Sequence, residues 1–101
     1  MAKPDKLPPE EAKRMILLIL EQGNVEPSYH CRNDSMPKRQ VTMIDVVNTL
    51  MTGQIVRDPE WDEEYQNWKY RVEGVDMEAD ELTAITVIFA ADLTLYIITV
   101  F

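Results

Sequence analysis

Between residues 66 and 73 the chain alternates: Trp68, Tyr70 and Val72 fall on one side, Asn67, Lys69, Arg71 and Glu73 on the other. A period of two is the mark of a β-strand with one covered and one wet face. Such strands belong to antiparallel sheets, because parallel sheets are covered on both faces. The stretch therefore calls for an antiparallel sheet whose covered side needs another layer of structure.

That layer is written upstream. Pro9, Glu10 and Glu11 suit a helix's first turn, and the spacing of Ala12, Met15, Ile16, Ile19 and Leu20 predicts a helix from about Pro9 to Gln22, stopped by Gly23. Leu17 and Leu18 widen its apolar stripe, which implies deep cover or a homodimer seam. A second helix starts at Thr42, with Asp45 completing a capping-box variant, and ends at Gly53. Its expected stripe is Ile44, Val47 and Met51, with Val46 and Leu50 beside it. Between the helices, Ser28 to Arg32 is a candidate short strand. Downstream, Gln54 to Arg57, residues 66–73, Leu82 to Ala90 and Leu93 to Phe101 read as strands, whereas Glu60 to Glu64 and Gly74 to Asp80 read as acidic turns. The expected fold class is α+β: two N-terminal helices packed on an antiparallel β-meander of three to four strands. Residues 1–8 are expected to be a flexible arm and residues 9–101 a single domain.

Charge divides the chain unevenly. The net charge is −8, which opposes nonspecific nucleic-acid binding and suits docking on a basic protein partner. Residues 28–40 run the other way, with Arg32, Lys38 and Arg39 against Asp34, a local balance of +2. Residues 41–101 hold three bases against twelve acids, a balance of −9. The basic segment also carries the only histidine, His30, and the only cysteine, Cys31. An imidazole among guanidinium groups points to an anionic guest such as phosphate, with His30 as general acid or base on a ribose hydroxyl or leaving oxygen. The bland alternative is a solvated loop whose bases answer the protein's own acids. On the wet face of the alternating strand, Lys69 and Arg71, with Arg57 on a neighbour, form a candidate basic stripe, and Tyr96 or Tyr65 could stack on a base. Cross-strand ion pairing is the rival account of that stripe.

Other chemistries fit less well. One cysteine excludes an internal disulfide and fits a cytoplasmic setting. One His and one Cys without a spacing motif are too few for zinc, and the acids lack a calcium-loop pattern, so neither metal nor other cofactor is expected. The longest apolar run, Met15 to Leu20, is too short to cross a bilayer, and residues 1–9 lack the order of a signal peptide.

In order along the chain come Tyr29-His30-Cys31-Arg32 with Arg39 downstream, then Ile44 to Leu50 followed by Gly53-Gln54-Ile55, then Trp68 to Gly74, and finally Leu95 to Val100. In these motifs, over roughly residues 12–101, the chain resembles a family of small bacterial proteins related to the MqsR-like and RelE-like toxins. The resemblance implies an RNase-toxin α+β fold, RNA on the open sheet face, and an antitoxin or ribosome as partner. It matches His30, Arg32 and Arg39 to a His and Arg cluster and Arg71 to a basic position on the central strand. The implied catalytic set is His30, Arg32, Arg39 and Arg71, with Lys38, Arg57, Lys69 and Tyr96 binding substrate. The alternative is a non-catalytic, acidic, protein-binding or regulatory module.

Overall fold

The computed structural model describes residues 3–101. Its elements are α1 (Pro9–Gln22), β1 (Asn24–Pro27), a helical run over residues 29–39, α3 (Met43–Thr52), β2 (Glu60–Asp62), β3 (Asn67–Val75), β4 (Glu81–Phe89) and β5 (Thr94–Val100). Within the helical run, Cys31–Ser35 form a π-helical turn and Met36–Arg39, here α2, return to α geometry. One five-stranded sheet has the order β1-β5-β4-β3-β2. The β2 to β5 part is an antiparallel meander, while β1 adds to β5 in parallel.

The class is α+β, as the pattern requires, with differences in detail. The sheet has five strands, because Asn24–Pro27 pairs on the free edge of β5. Its Pro27 is tolerated at the end of an edge strand. Of Gln54 to Arg57 only Gln54 pairs, in an isolated bridge with Glu73. The acidic stretch expected as a turn instead supplies β2, where Trp61 sits opposite Trp68 with the two rings 5.3 Å apart at 76°. That edge-to-face contact adds to simple burial.

Helices pack on one sheet face. Ala12, Ile16 and Ile19 of α1, Cys31 and Met36 of the helical run, and Val46 and Leu50 of α3 meet Tyr70, Val72, Leu82, Ala84, Leu95 and Ile97 in one core. Tyr70 and Val72 thus face inward as the alternation demands. In α3 the stripe is rotated from the expected one: Ile44 and Met51 are exposed, while Val46, Thr49 and Leu50 are buried. Thr49 is accommodated because its Oγ1 donates to the carbonyls of Asp45 and Val75, at 3.2 and 2.9 Å. Residues of the arm touch the sheet: the Leu7 N–H donates to the Tyr70 hydroxyl at 2.8 Å and the Trp68 indole N–H to the Pro4 carbonyl at 2.7 Å. No described helix is long and apolar enough to cross a membrane.

The α3 N-terminus yields a pH prediction. The Asp45 carboxylate accepts the Thr42 N–H at 3.0 Å, and its other oxygen accepts the Met77 N–H at 3.0 Å. These two backbone hydrogen bonds hold its carboxyl below the usual carboxylate range. A carboxyl lowered on folding contributes stability that is full above its unfolded value, near 3.9, and is lost as pH falls through the folded value. Asp45→Asn is therefore expected to lower stability at neutral pH and to flatten the acid limb, below about pH 4, of a stability-against-pH curve from urea denaturation. An acid limb unchanged by the substitution would contradict this account.

Candidate functional site

The helical run is fastened to β5 by two serines. Ser28 caps it: its Oγ accepts the Cys31 N–H at 3.0 Å and donates to the Ile98 carbonyl at 2.7 Å. Ser35 Oγ donates to the Cys31 carbonyl at 3.3 Å and accepts the Val100 N–H at 3.2 Å. The register between β4 and β5 shifts after Ile85, from the pair Ile85–Thr99 to Thr86–Ile97, so Ile98 is an extra residue whose carbonyl is available to Ser28. The run ends with Gln40 in the left-handed region at φ 56°, where the Gln40 and Val41 N–H groups close on the carbonyls of Pro37 and Met36.

Because Ser28, Cys31, Ser35 and Met36 turn inward, the intervening positions turn out. His30, Asp34, Ser35, Lys38 and Arg39 line one wall of a groove of about 490 Å³, and Thr99, Val100 and Phe101 line the other. His30 Nδ1 lies 3.2 Å from Asp34 Oδ2, one helical turn away. With Nδ1 donating to Asp34, Nε2 is the free acceptor. Lys38 forms no ion pair among the described residues. Arg39 donates from Nη2 to the Glu81 carbonyl and forms no ion pair among the described residues, although Asp80 and Glu81 line a groove with it.

The remaining expected site residues are distributed as follows. Arg32 is exposed and does not line the His30 groove. Arg71 lies in an adjoining groove of about 570 Å³ that also takes in Arg39, Asp80, Glu81, Thr83 and Phe101. Its Nε donates to Glu73 Oε2 at 3.1 Å, and its guanidinium lies 5.1 Å from the Phe101 ring centre. Arg57 Nε is 3.7 Å from the same Glu73 oxygen, and Lys69 Nζ is 3.7 Å from Asp62. Each base of the stripe therefore stands by a carboxylate, Lys69 across to β2, Arg71 along its own strand β3, and Arg57 from the segment between α3 and β2. Tyr96 sits against Tyr65 with ring centres 5.4 Å apart. Cys31 is fully buried, and burial pushes its thiol up despite the Ser35 hydrogen bond and the nearby Arg32 charge. No group of three or more metal-ligating side chains stands together among the described residues.

The groove thus unites His30, Lys38 and Arg39 and leaves Arg32 outside. Sequence reasoning missed Asp34, Ser35 and Phe101. The signal for Asp34 was present: His30 and Asp34 are four apart, which puts them on one face once residues 29–39 are helical. The candidate strand at Ser28 to Arg32 concealed that spacing. The segment is helical because Ser28 caps it and Gln40 closes it.

A family model for a domain of unknown function, DUF4258, matches residues 27–101, more than half of the chain. The chain belongs to the DUF4258 family. The DUF4258 segment opens at the last residue of β1 and includes the helical run, α3 and β2 to β5, so every groove residue named above lies within it. The helix α1 precedes it. The chain matches no curated protein and no solved structure.

Proposed function

We propose that this DUF4258 protein is a toxin-like RNA-cleaving protein that uses metal-free acid/base chemistry, paired with an antitoxin. The observation that carries the reading is Asp34 held against Nδ1 of His30 in a groove that also presents Lys38 and Arg39. In this reading His30 Nε2 takes the proton of a ribose 2′-hydroxyl. The 2′-oxygen bonds to the neighbouring phosphorus, the P–O5′ bond breaks, and the departing 5′-oxygen takes a proton from water. Lys38 and Arg39 answer the charge that builds on the phosphoryl oxygens. The resemblance of the sequence motifs to a family related to the MqsR-like and RelE-like toxins points the same way, as an analogy only. Purified protein incubated with RNA, with and without ribosomes, should yield 2′,3′-cyclic phosphate ends, and His30→Ala should not. Equal cleavage by both, or none by either, removes the proposal.

Glu73 supplies an independent check on the open sheet face. Its carboxylate holds both Arg57 and Arg71 and competes with phosphate for them. Glu73→Gln is expected to tighten RNA binding and to steepen its salt dependence by about 0.7 in log–log slope per phosphate newly contacted. An unchanged slope, measured by fluorescence anisotropy over a salt series, would remove Arg57 and Arg71 from the binding face.

A second reading, a non-catalytic module that docks on another protein, is favoured by Leu17 and Leu18, which are 40% and 37% exposed on α1. Recovery of a stable partner lost on Leu17→Lys, with no RNA cleavage, would select it.

A further inference from the structure

We propose that Phe101 is a stacking platform for the nucleobase next to the phosphate held in the His30 groove. The inference rests on the RNA reading above and names the part of the RNA that this end of the site recognises. Two observations carry it. First, Phe101 is half exposed as a residue, although its backbone is pinned to β4 by both Thr83 hydrogen bonds, N–H to carbonyl at 2.9 Å and carbonyl to N–H at 2.8 Å. A large aromatic side chain on a fixed backbone, left open to water, is a ready surface for a planar partner. Second, Phe101 lines both the groove of His30 and Lys38 and the adjoining groove of Arg71, with Arg39 common to the two.

The Arg71 guanidinium already lies 5.1 Å from the ring centre, so the ring's surroundings admit a flat cationic group. A base on Phe101 would have its own phosphate within reach of His30 and Lys38 on one side, and the next phosphate toward Arg39 and Arg71 on the other. Every base has a π-face, so the platform selects unpaired RNA over duplex and discriminates weakly among sequences.

The test uses the full chain and a short single-stranded 2′-O-methyl oligonucleotide, which cannot be cleaved through its 2′-oxygen. Phe101→Leu keeps an apolar side chain at the end of β5 and is expected to weaken binding about five- to a hundredfold. Phe101→Tyr should retain binding, and an oligonucleotide with abasic positions should bind wild type and Phe101→Leu alike. Matched melting temperatures separate loss of stacking from loss of fold. Equal affinity of Phe101→Leu and wild type, indifference of wild type to abasic positions, or no binding by wild type overturns the proposal. Oligonucleotide binding that depends on Phe101, without cleavage of natural RNA, would overturn the catalytic reading and leave the platform standing. Cleavage that depends on His30 and ignores Phe101 would do the reverse.

Discussion

Alanine at position 23 is expected to destabilise the fold by about 1–3 kcal/mol, the range for forcing atoms into a packed interior. For a domain of this size that is a fall of roughly 5–20 °C in melting temperature. The reason is space, not backbone freedom: Gly23 has φ −116°, an extended value open to any residue. A Cβ there would stand 2.0 Å from the Leu93 carbonyl oxygen and 3.0 Å from the Leu93 carbonyl carbon. That oxygen cannot withdraw cheaply, because it accepts the Asn24 N–H at 2.9 Å where β1 joins β5. Leu93 is itself held in the left-handed region at φ 46°. The clash therefore forces α1 away from the sheet or breaks the first β1–β5 bond. Thermal denaturation checks it, and a melting temperature equal to wild type would show that the α1–β1 junction is not seated on Leu93.

The same glycines show where the sequence was informative and where it was not. Gly23 and Gly53 mark the ends of α1 and α3, and both ends stand where the pattern puts them. Their physical role was not legible, because close approach involves residues distant in the chain. A Cβ on Gly53 would meet the carbonyls of Thr49 at 2.5 Å and Glu73 at 2.8 Å, and Gly74 packs back to back on Gly53. The strand β3 was legible for the same reason that α1 was, a single hydrophobic period over many residues, and β4 and β5 as runs rich in apolar and β-branched residues, whereas the acidic β2 read as a turn. The parallel strand β1 has four residues and a proline, too few to show any period. The helical run defeated the period for a different reason. Its inward positions, Ser28, Cys31, Ser35 and Met36, are small, polar or unevenly spaced, and the π-turn inserts an additional residue into the helical repeat. The positive charge of residues 28–40 did locate the candidate site. Only the coordinates separated Lys38 and Arg39, which share the groove with His30, from Arg32, which faces elsewhere.

Under the proposed chemistry, His30→Ala is expected to lower RNA cleavage by about 10²- to 10⁴-fold, the usual contribution of a positioned general acid or base. The substitution should leave the fold almost untouched. The His30 and Asp34 side chains are 60% and 66% exposed, and a surface pair of this kind adds little to stability. A melting temperature near that of wild type therefore accompanies the loss, which separates it from the Gly23 effect. Asp34→Asn is the more discriminating companion. Asparagine keeps the size of the side chain but can present its amide N–H₂ to Nδ1, which favours the tautomer whose Nε2 carries the proton and cannot act as base. Asp34→Asn should thus lose cleavage while binding an uncleavable oligonucleotide as tightly as wild type. Lys38→Ala, by contrast, should weaken binding and reduce its salt dependence. A rate that falls in parallel with affinity in all three variants would mean that the groove only binds, because a proton-transfer group acts on the step after binding and leaves affinity in place.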